Sequence, residues 1–292
     1  MTHTAGTQVL GLQVANLPLW LDARGTPVRM AAPEPYRAFL LPGSAEGGLV
    51  LRLRDGRLRS TSGWSPLYSH PETWQIWQDG AGCLLIVPPG HPLPDRGVWL
   101  AAGFSHGEVL GDLAGCRDGG PLFPLEDVDM VLYANWLAGS GDLILHAACV
   151  EIDGRGYCFA GGRGAGKSTL ATHLAERIPG SLLAEDNAVL RFLGGRFWIF
   201  GTPWHEIPAR CSPAGAPLEK VFFLDRQAAH GVRAVRPVDA IASLLQTAFV
   251  PYYRAEAVPA ILDHLALLAG RVPFYSLSYQ VGEDVMQLIH ST

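Results

Sequence analysis

The sequence predicts an α/β protein with a mixed sheet, in which a glycine-loop domain follows a β-rich N-terminal domain. Three observations carry this expectation. The stretch GGRGAGKS, Gly161 to Ser168, leaves an apolar strand and opens a helix. Strand candidates stand on both sides of that helix, and two of them form a hairpin-like pair that a purely parallel sheet would not contain. The first 121 residues are short hydrophobic runs cut by Gly, Pro, Asp and Ser, the pattern of strands and turns.

With 292 residues, 48% of them apolar, the chain can bury one sizeable core and a second, smaller one. Two domains are expected, residues 1–121 as a recognition or accessory domain and residues 122–292 as the glycine-loop domain. A formal net charge of -5 offers no broad electropositive surface, so nucleic acid is set aside as a partner. Five scattered cysteines without a CxxC pair fit free thiols in a reducing cytoplasm. The N-terminus lacks a basic stretch followed by a long apolar run, and no segment reaches about 18 apolar residues. A cytoplasmic protein without a membrane partner is therefore expected, and a homo-oligomer is compatible with the sequence.

In chain order, QVLGLQV, RAFLLP, LVLRLRDGRLRS, TWQIWQDG and CLLIVPPG read as strands. Leu51 to Ser60 reads as a hairpin about Asp55-Gly56, with Arg52, Arg54, Arg57 and Arg59 on one face and Leu51, Leu53 and Leu58 on the other. The arginine row suits a solvated face or an acidic partner. Trp64, Trp74, Trp77 and Trp99 enrich this half, as small-domain core or as a ligand cage. Leu125, Val128, Leu132 and Trp136 recur at helical spacing and predict a helix over 124–138. Strands over 142–151 and 156–161, joined by DGRG, lead into the glycine loop, and a helix over 167–177 leaves it before Pro179-Gly180. SLLA, AVLRFL, RFWIFG, KVFFLD and VPFYSL are further strands, with helices near 237–248 and 257–270 and a short one at the end.

Gly161, Gly162, Arg163, Gly164, Ala165, Gly166, Lys167 and Ser168 satisfy GxxxxGK[ST] in the strand-to-helix setting the motif requires, and Thr169 follows in the first turn. Glycines let successive backbone N–H groups curl around phosphate oxygens, and the helix N-terminus adds positive potential. Lys167 would reach the β and γ phosphates, while the Ser168 hydroxyl would ligate Mg²⁺. ATP and Mg²⁺ are the expected ligands. The loop does not say which chemistry follows, since ATPases, GTPases and kinases differ in the groups that place the acceptor.

Glu185 and Asp186 end an apolar strand one helix beyond the loop, a position that faces the nucleotide in such proteins. Where the chain turns, both carboxylates can approach Mg²⁺ or an acceptor hydroxyl. His146, on the strand before the loop, would by itself be a satisfied core histidine.

Taken together, LHAACVEIDGRGYCFAGGRGAGKST and LLAEDNAV resemble the catalytic core of bacterial HPr kinase/phosphorylases, where a strand histidine, a glycine loop and a VADDNV-type carboxylate pair occur in this order. The interval from His146 to Lys167 is similar as well. The resemblance covers roughly residues 142–192 and implies the fold shared with phosphoenolpyruvate carboxykinase. It implies that His146 lies beside the transferred phosphate, that Lys167 and Ser168 bind phosphate and Mg²⁺, and that Asp186 is the base toward the acceptor serine. Glu185 stands where the family has its first aspartate, as a metal ligand. The glycine-rich signature that follows in those kinases is replaced here by FGTPWHEIPARC. A closer resemblance is to the HPr-kinase-related, carboxykinase-like proteins encoded with ribosomal-peptide and lasso-peptide pathways, which implies an ATP-dependent kinase acting on a peptide or small protein.

Two other functions stay open on the residues, a small-molecule hydroxyl kinase and a nucleotide-binding regulatory module without transfer. Gly201 to Glu206, GTPWHE, would cover a substrate or plug the core rim. Arg210, Arg226 and Arg254 are candidates for a clamp on the phosphate, and no spacing selects among them.

Overall fold

The computed structural model describes residues 6–43, 47–56, 60–70, 74–87, 97–111, 122–125, 128–162, 164–205, 211–225, 228–280 and 285–290. The chain divides into two compact units, residues 1–136 and 137–292, where the sequence reading drew its boundary at 121/122.

Among the described residues, the N-terminal unit holds a nine-stranded mixed sheet. Its strands are β1 (Val9–Val14), β2 (Leu17–Asp22), β3 (Leu40–Leu41), β4 (Leu49–Asp55), β5 (Ser65–Ser69), β6 (Gln75–Gln78), β7 (Leu84–Val87), β8 (Gly97–Leu100) and β9 (His106–Gly111). Their order is β3-β1-β2-β4-β9-β8-β7-β6-β5. The hairpin expected over Leu51 to Ser60 is described only in its first strand, β4. β4 runs parallel to β2 on one side, as far as Arg52, and to β9 on the other, and the Gly56 N–H continues along β9 to the Gly111 carbonyl at 3.1 Å. Residues 57–59 lie outside the described residues. The alternation itself is right, with Leu49, Leu51 and Leu53 buried and Arg52 and Arg54 exposed. Arg54 pairs with Glu108 across the sheet at 3.0 Å. Trp64, Trp74, Trp77 and Trp99 are all half-buried.

The helix expected over 124–138 is shorter. α1 (Asp129–Ala138) ends as predicted but begins later, after a turn in which the Val128 N–H bonds to the Leu125 carbonyl.

The C-terminal unit is strand-rich α/β. β10 (Leu143–Ile152) and β11 (Arg155–Ala160) form a hairpin about Asp153-Gly154, both with positive φ, the geometry of a two-residue primed turn. Then follow α2 (Lys167–Arg177), β12 (Leu182–Ala184), β13 (Asn187–Leu193), β14 (Arg196–Phe200), β15 (Gly215–Leu224), β16 (Gly231–Ala234), α3 (Pro237–Thr247), β17 (Ala248–Phe249), α4 (Val258–Ala269), β18 (Phe274–Ser278) and α5 (Val285–His290). β11, β10, β13, β14 and β15 neighbour one another in that order, and β15 returns parallel to β11, so the five close into a barrel. β18 and β16 extend the sheet beyond β15.

β10 is buried on both faces, which explains its near-continuous apolar run. Leu143, Leu145, Ala147 and Cys149 enter one core cluster, with α3 and α4. Ala148, Val150 and Ile152 enter the other, with Leu170 and Leu174 of α2. Phe159 stacks on Phe222 there, with ring centroids 5.4 Å apart. The period of two puts His146 on the α2 face, one step short of where that cover begins. The described residues include no helix long and apolar enough to cross a membrane.

Candidate functional site

Register brings the predicted residues together. Across β10, Ala147 faces Ala160, the last residue before the glycine loop, while His146 faces Asn187 on the opposite edge. The histidine therefore stands level with the start of the loop and with the residue after Asp186.

The acidic pair falls at an interruption in the ladder. β12 and β13 lie along the same edge of β10, with Cys149 opposite Ala184 and His146 opposite Asn187. Two residues on each side fall between, Ala147-Ala148 and Glu185-Asp186, so the register is kept while the acidic pair bends out of the ladder. The pair directly follows β12, at the strand end the sequence predicts, and falls in the gap before β13. Its members differ sharply: Glu185 is only 8% exposed, while the Asp186 side chain is 42% exposed.

Asp186 Oδ1 lies 3.1 Å from His146 Nδ1. Its other oxygen, Oδ2, accepts from Asn187 Nδ2 at 3.1 Å, and the same Asn187 nitrogen donates to the Trp204 carbonyl at 2.9 Å. The Asp186 N–H donates to His205 Nδ1 at 3.3 Å. Burial pushes the His205 pKa below its ordinary value, with the Asp186 and Glu185 carboxylates opposing.

In the glycine loop, Gly164 and Gly166 have φ of +79° and +100°, which only glycine adopts without strain, and Gly166 precedes α2. A Cβ on Gly161 would meet the Ala165 Cβ at 2.9 Å, whereas nothing stands within 4 Å of one on Gly162 or Gly164. Lys167 is buried, and its ammonium donates to the carbonyls of Gly161 at 2.8 Å and Gly162 at 3.2 Å. Burial lowers its pKa, and the Asp186 carboxylate acts against that shift. Lys167 thus lies within reach of the Asp186 charge. Ser168 and Thr169 are exposed on the first turn of α2. The Tyr279 hydroxyl, which sequence reasoning did not single out, donates to the Gly166 carbonyl at 3.2 Å and ties β18's end to the loop.

Arg163, Glu206, Arg210 and Arg226 lie outside the described residues. Arg254 pairs with Glu256 at 2.8 Å. Of GTPWHE, Trp204 is buried and His205 touches Asp186, so the loop supports the acidic pair as well as packing. Nothing in the spacing announces the His205 contact, because it depends on a long-range return of the chain over β12.

In three dimensions the chain is similar to the Hpr(Ser) kinase/phosphatase from Coxiella burnetii, at 15% sequence identity and a TM-score of 0.30, over 51% of this chain and 86% of that one. No family model matches the sequence, and no curated protein does.

Proposed function

We propose that the C-terminal unit is an ATP- and Mg²⁺-dependent kinase that moves the γ-phosphate to a serine-type hydroxyl, on a ribosomally synthesised peptide or small protein. The observation that carries this reading is the His146–Asp186 contact of 3.1 Å beside a glycine loop whose Lys167 lies in the field of the same carboxylate. A module that only senses nucleotide needs the loop but not a half-exposed carboxylate held by a histidine.

Lys167 would exchange its two loop carbonyls for the β and γ phosphates, since an ammonium gains more from anionic oxygens than from neutral ones. The loop N–H groups and the start of α2 would hold the rest of the triphosphate. Ser168 and Glu185 offer hard oxygen donors, which fit Mg²⁺ completed by phosphate oxygens and water; the ion would neutralise charge on the phosphates. Asp186 would accept the proton of the acceptor hydroxyl while that oxygen bonds to the γ-phosphorus and the bond to the β–γ bridging oxygen breaks, releasing ADP. With Nδ1–H donated to Asp186, His146 would fix the carboxylate.

For the acceptor, the reading assigns recognition to the N-terminal unit. A cavity of about 570 Å³ lined by Val9, Leu10, Met30, Arg37, Leu40 and Leu41 supports this, being mainly apolar and of a size to take a few peptide side chains.

The test is single-turnover transfer from γ-labelled ATP to serine-containing peptides, with nucleotide affinity measured alongside. Lys167→Ala should abolish transfer and weaken ATP·Mg²⁺ binding. Asp186→Asn should keep the binding and lower kcat by about 10²- to 10⁴-fold. Full activity in either variant would remove that residue from the mechanism, and transfer to low-molecular-weight hydroxyls alone would replace the peptide acceptor.

A further inference from the structure

We infer that the loop from Gly201 to His205 is the positioning element of Asp186, acting through His205; the inference rests on the kinase reading above for what the positioning serves. The need for such an element follows from the gap in the ladder. Asp186 lies between two strands, so its N–H has no ladder partner and must be satisfied otherwise. His205 Nδ1 accepts it at 3.3 Å.

The ring can do so only when Nδ1 carries no proton, and the surroundings set that tautomer. Thr202 Oγ1 gives its own hydrogen to the Asn187 carbonyl at 2.6 Å, which leaves it an acceptor toward His205 Nε2 at 3.4 Å. The proton therefore sits on Nε2, and Nδ1 is free for Asp186. Loss of water around the half-buried ring favours its neutral form, in keeping with this arrangement.

A second tie runs through Asn187. The Trp204 carbonyl is an acceptor, so the Asn187 amide must turn its NH₂ toward it, and the same group donates to Asp186 Oδ2. With His146 on Oδ1, Asp186 is held at its N–H and at both carboxylate oxygens. The loop reaches two of these three points, one directly and one through Asn187. It does so from a fixed base: Gly201 bonds to the Ala214 carbonyl at 3.0 Å, and Trp204 is buried. His205 is thus a positioning residue, since it touches the backbone of Asp186 rather than its reacting oxygen.

The decisive comparison is His205→Leu with His205→Asn. A carboxamide oxygen in asparagine takes the place of Nδ1 and keeps the acceptor; leucine removes it. Two readouts apply to the full chain: hydrogen exchange of the Asp186 amide, and release of inorganic phosphate from Mg²⁺·ATP with water as acceptor. The leucine variant should exchange the Asp186 amide at least about tenfold faster and release phosphate about 10- to 100-fold more slowly, with ATP affinity within about twofold of the parent. The asparagine variant should restore both. If the leucine protein does not fold, His205→Gln replaces it, because its longer carboxamide serves the Nε2 side and leaves the Nδ1 position without an acceptor. Unchanged exchange on losing the acceptor overturns the inference, as does equal impairment in the asparagine variant. Absence of phosphate release and of peptide phosphorylation in the parent would sink the kinase reading, and amide exchange would then still decide the His205 contact.

Discussion

Glu185 and Asp186 are chain neighbours of the same charge, yet they differ in burial. Glu185 is nearly covered, and a buried carboxylate is costly unless a cation or donor meets it. Asp186 is open to solvent on one side and engaged by His146 and Asn187 on the other. A covered carboxylate suits an ion, and an accessible one suits an incoming hydroxyl. Glu185→Gln should therefore raise the Mg²⁺ concentration needed for half-maximal transfer by about tenfold or more, and excess metal should restore most of the rate, because an amide is a weaker ligand for a hard cation. Asp186→Asn should gain nothing from added metal. A Mg²⁺ titration of single-turnover transfer in both variants checks this, and equal rescue of the two would reject the division of roles. The residue types and their spacing were legible in the sequence. The burial that separates them was not, because it comes from the break between β12 and β13.

At the scale of elements, the strand–loop–helix unit was the most legible part of the chain. Its apolar run, its turn, its glycines and the start and stop of α2 all lie within about 35 residues of each other, so local rules fix them. Where strand partners come from distant sequence, local rules mislead. Ala15-Asn16 carries a weaker turn signal than Asp55-Gly56, yet a hairpin forms there between β1 and β2, with φ of 52° and 61°, while β4 finds β2 and β9 as parallel partners from distant sequence. The loop after β14 is another such case. A Cβ on Gly201 would meet the Ser212 carbonyl oxygen at 2.1 Å and that of Leu183 at 2.3 Å, so the chain passes over β12 at a distance only glycine allows. Gly201→Ala must push backbone aside, and should cost about 1–3 kcal/mol in denaturant unfolding. Because the same loop carries His205, transfer should fall even at temperatures where the variant is fully folded. A variant with parental stability and parental rate would show that the loop tolerates displacement and that its close approach is incidental.

For the molecule as a whole, long-range strand pairing is the part that sequence pattern reaches least. Strand-and-turn composition foretold a β-rich first half, but not the nine-strand order, because pairing of β4 with β9 joins segments some fifty residues or more apart. The same holds for the barrel, whose closure depends on one parallel contact. If the C-terminal unit holds the nucleotide and the N-terminal unit selects the acceptor, the two ligands should leave separate marks on the full chain. Hydrogen exchange in the presence of Mg²⁺·ATP should slow at the glycine loop, the first turn of α2 and residues 185–187, while β1 to β9 keep their rates. Adding an acceptor peptide that the protein phosphorylates should slow exchange further in the N-terminal unit, at β1, β3 and residues 30–32, which line its cavity. A peptide whose protection falls wholly within residues 137–292 would take acceptor recognition away from the N-terminal unit, and would make that cavity a feature of its packing alone.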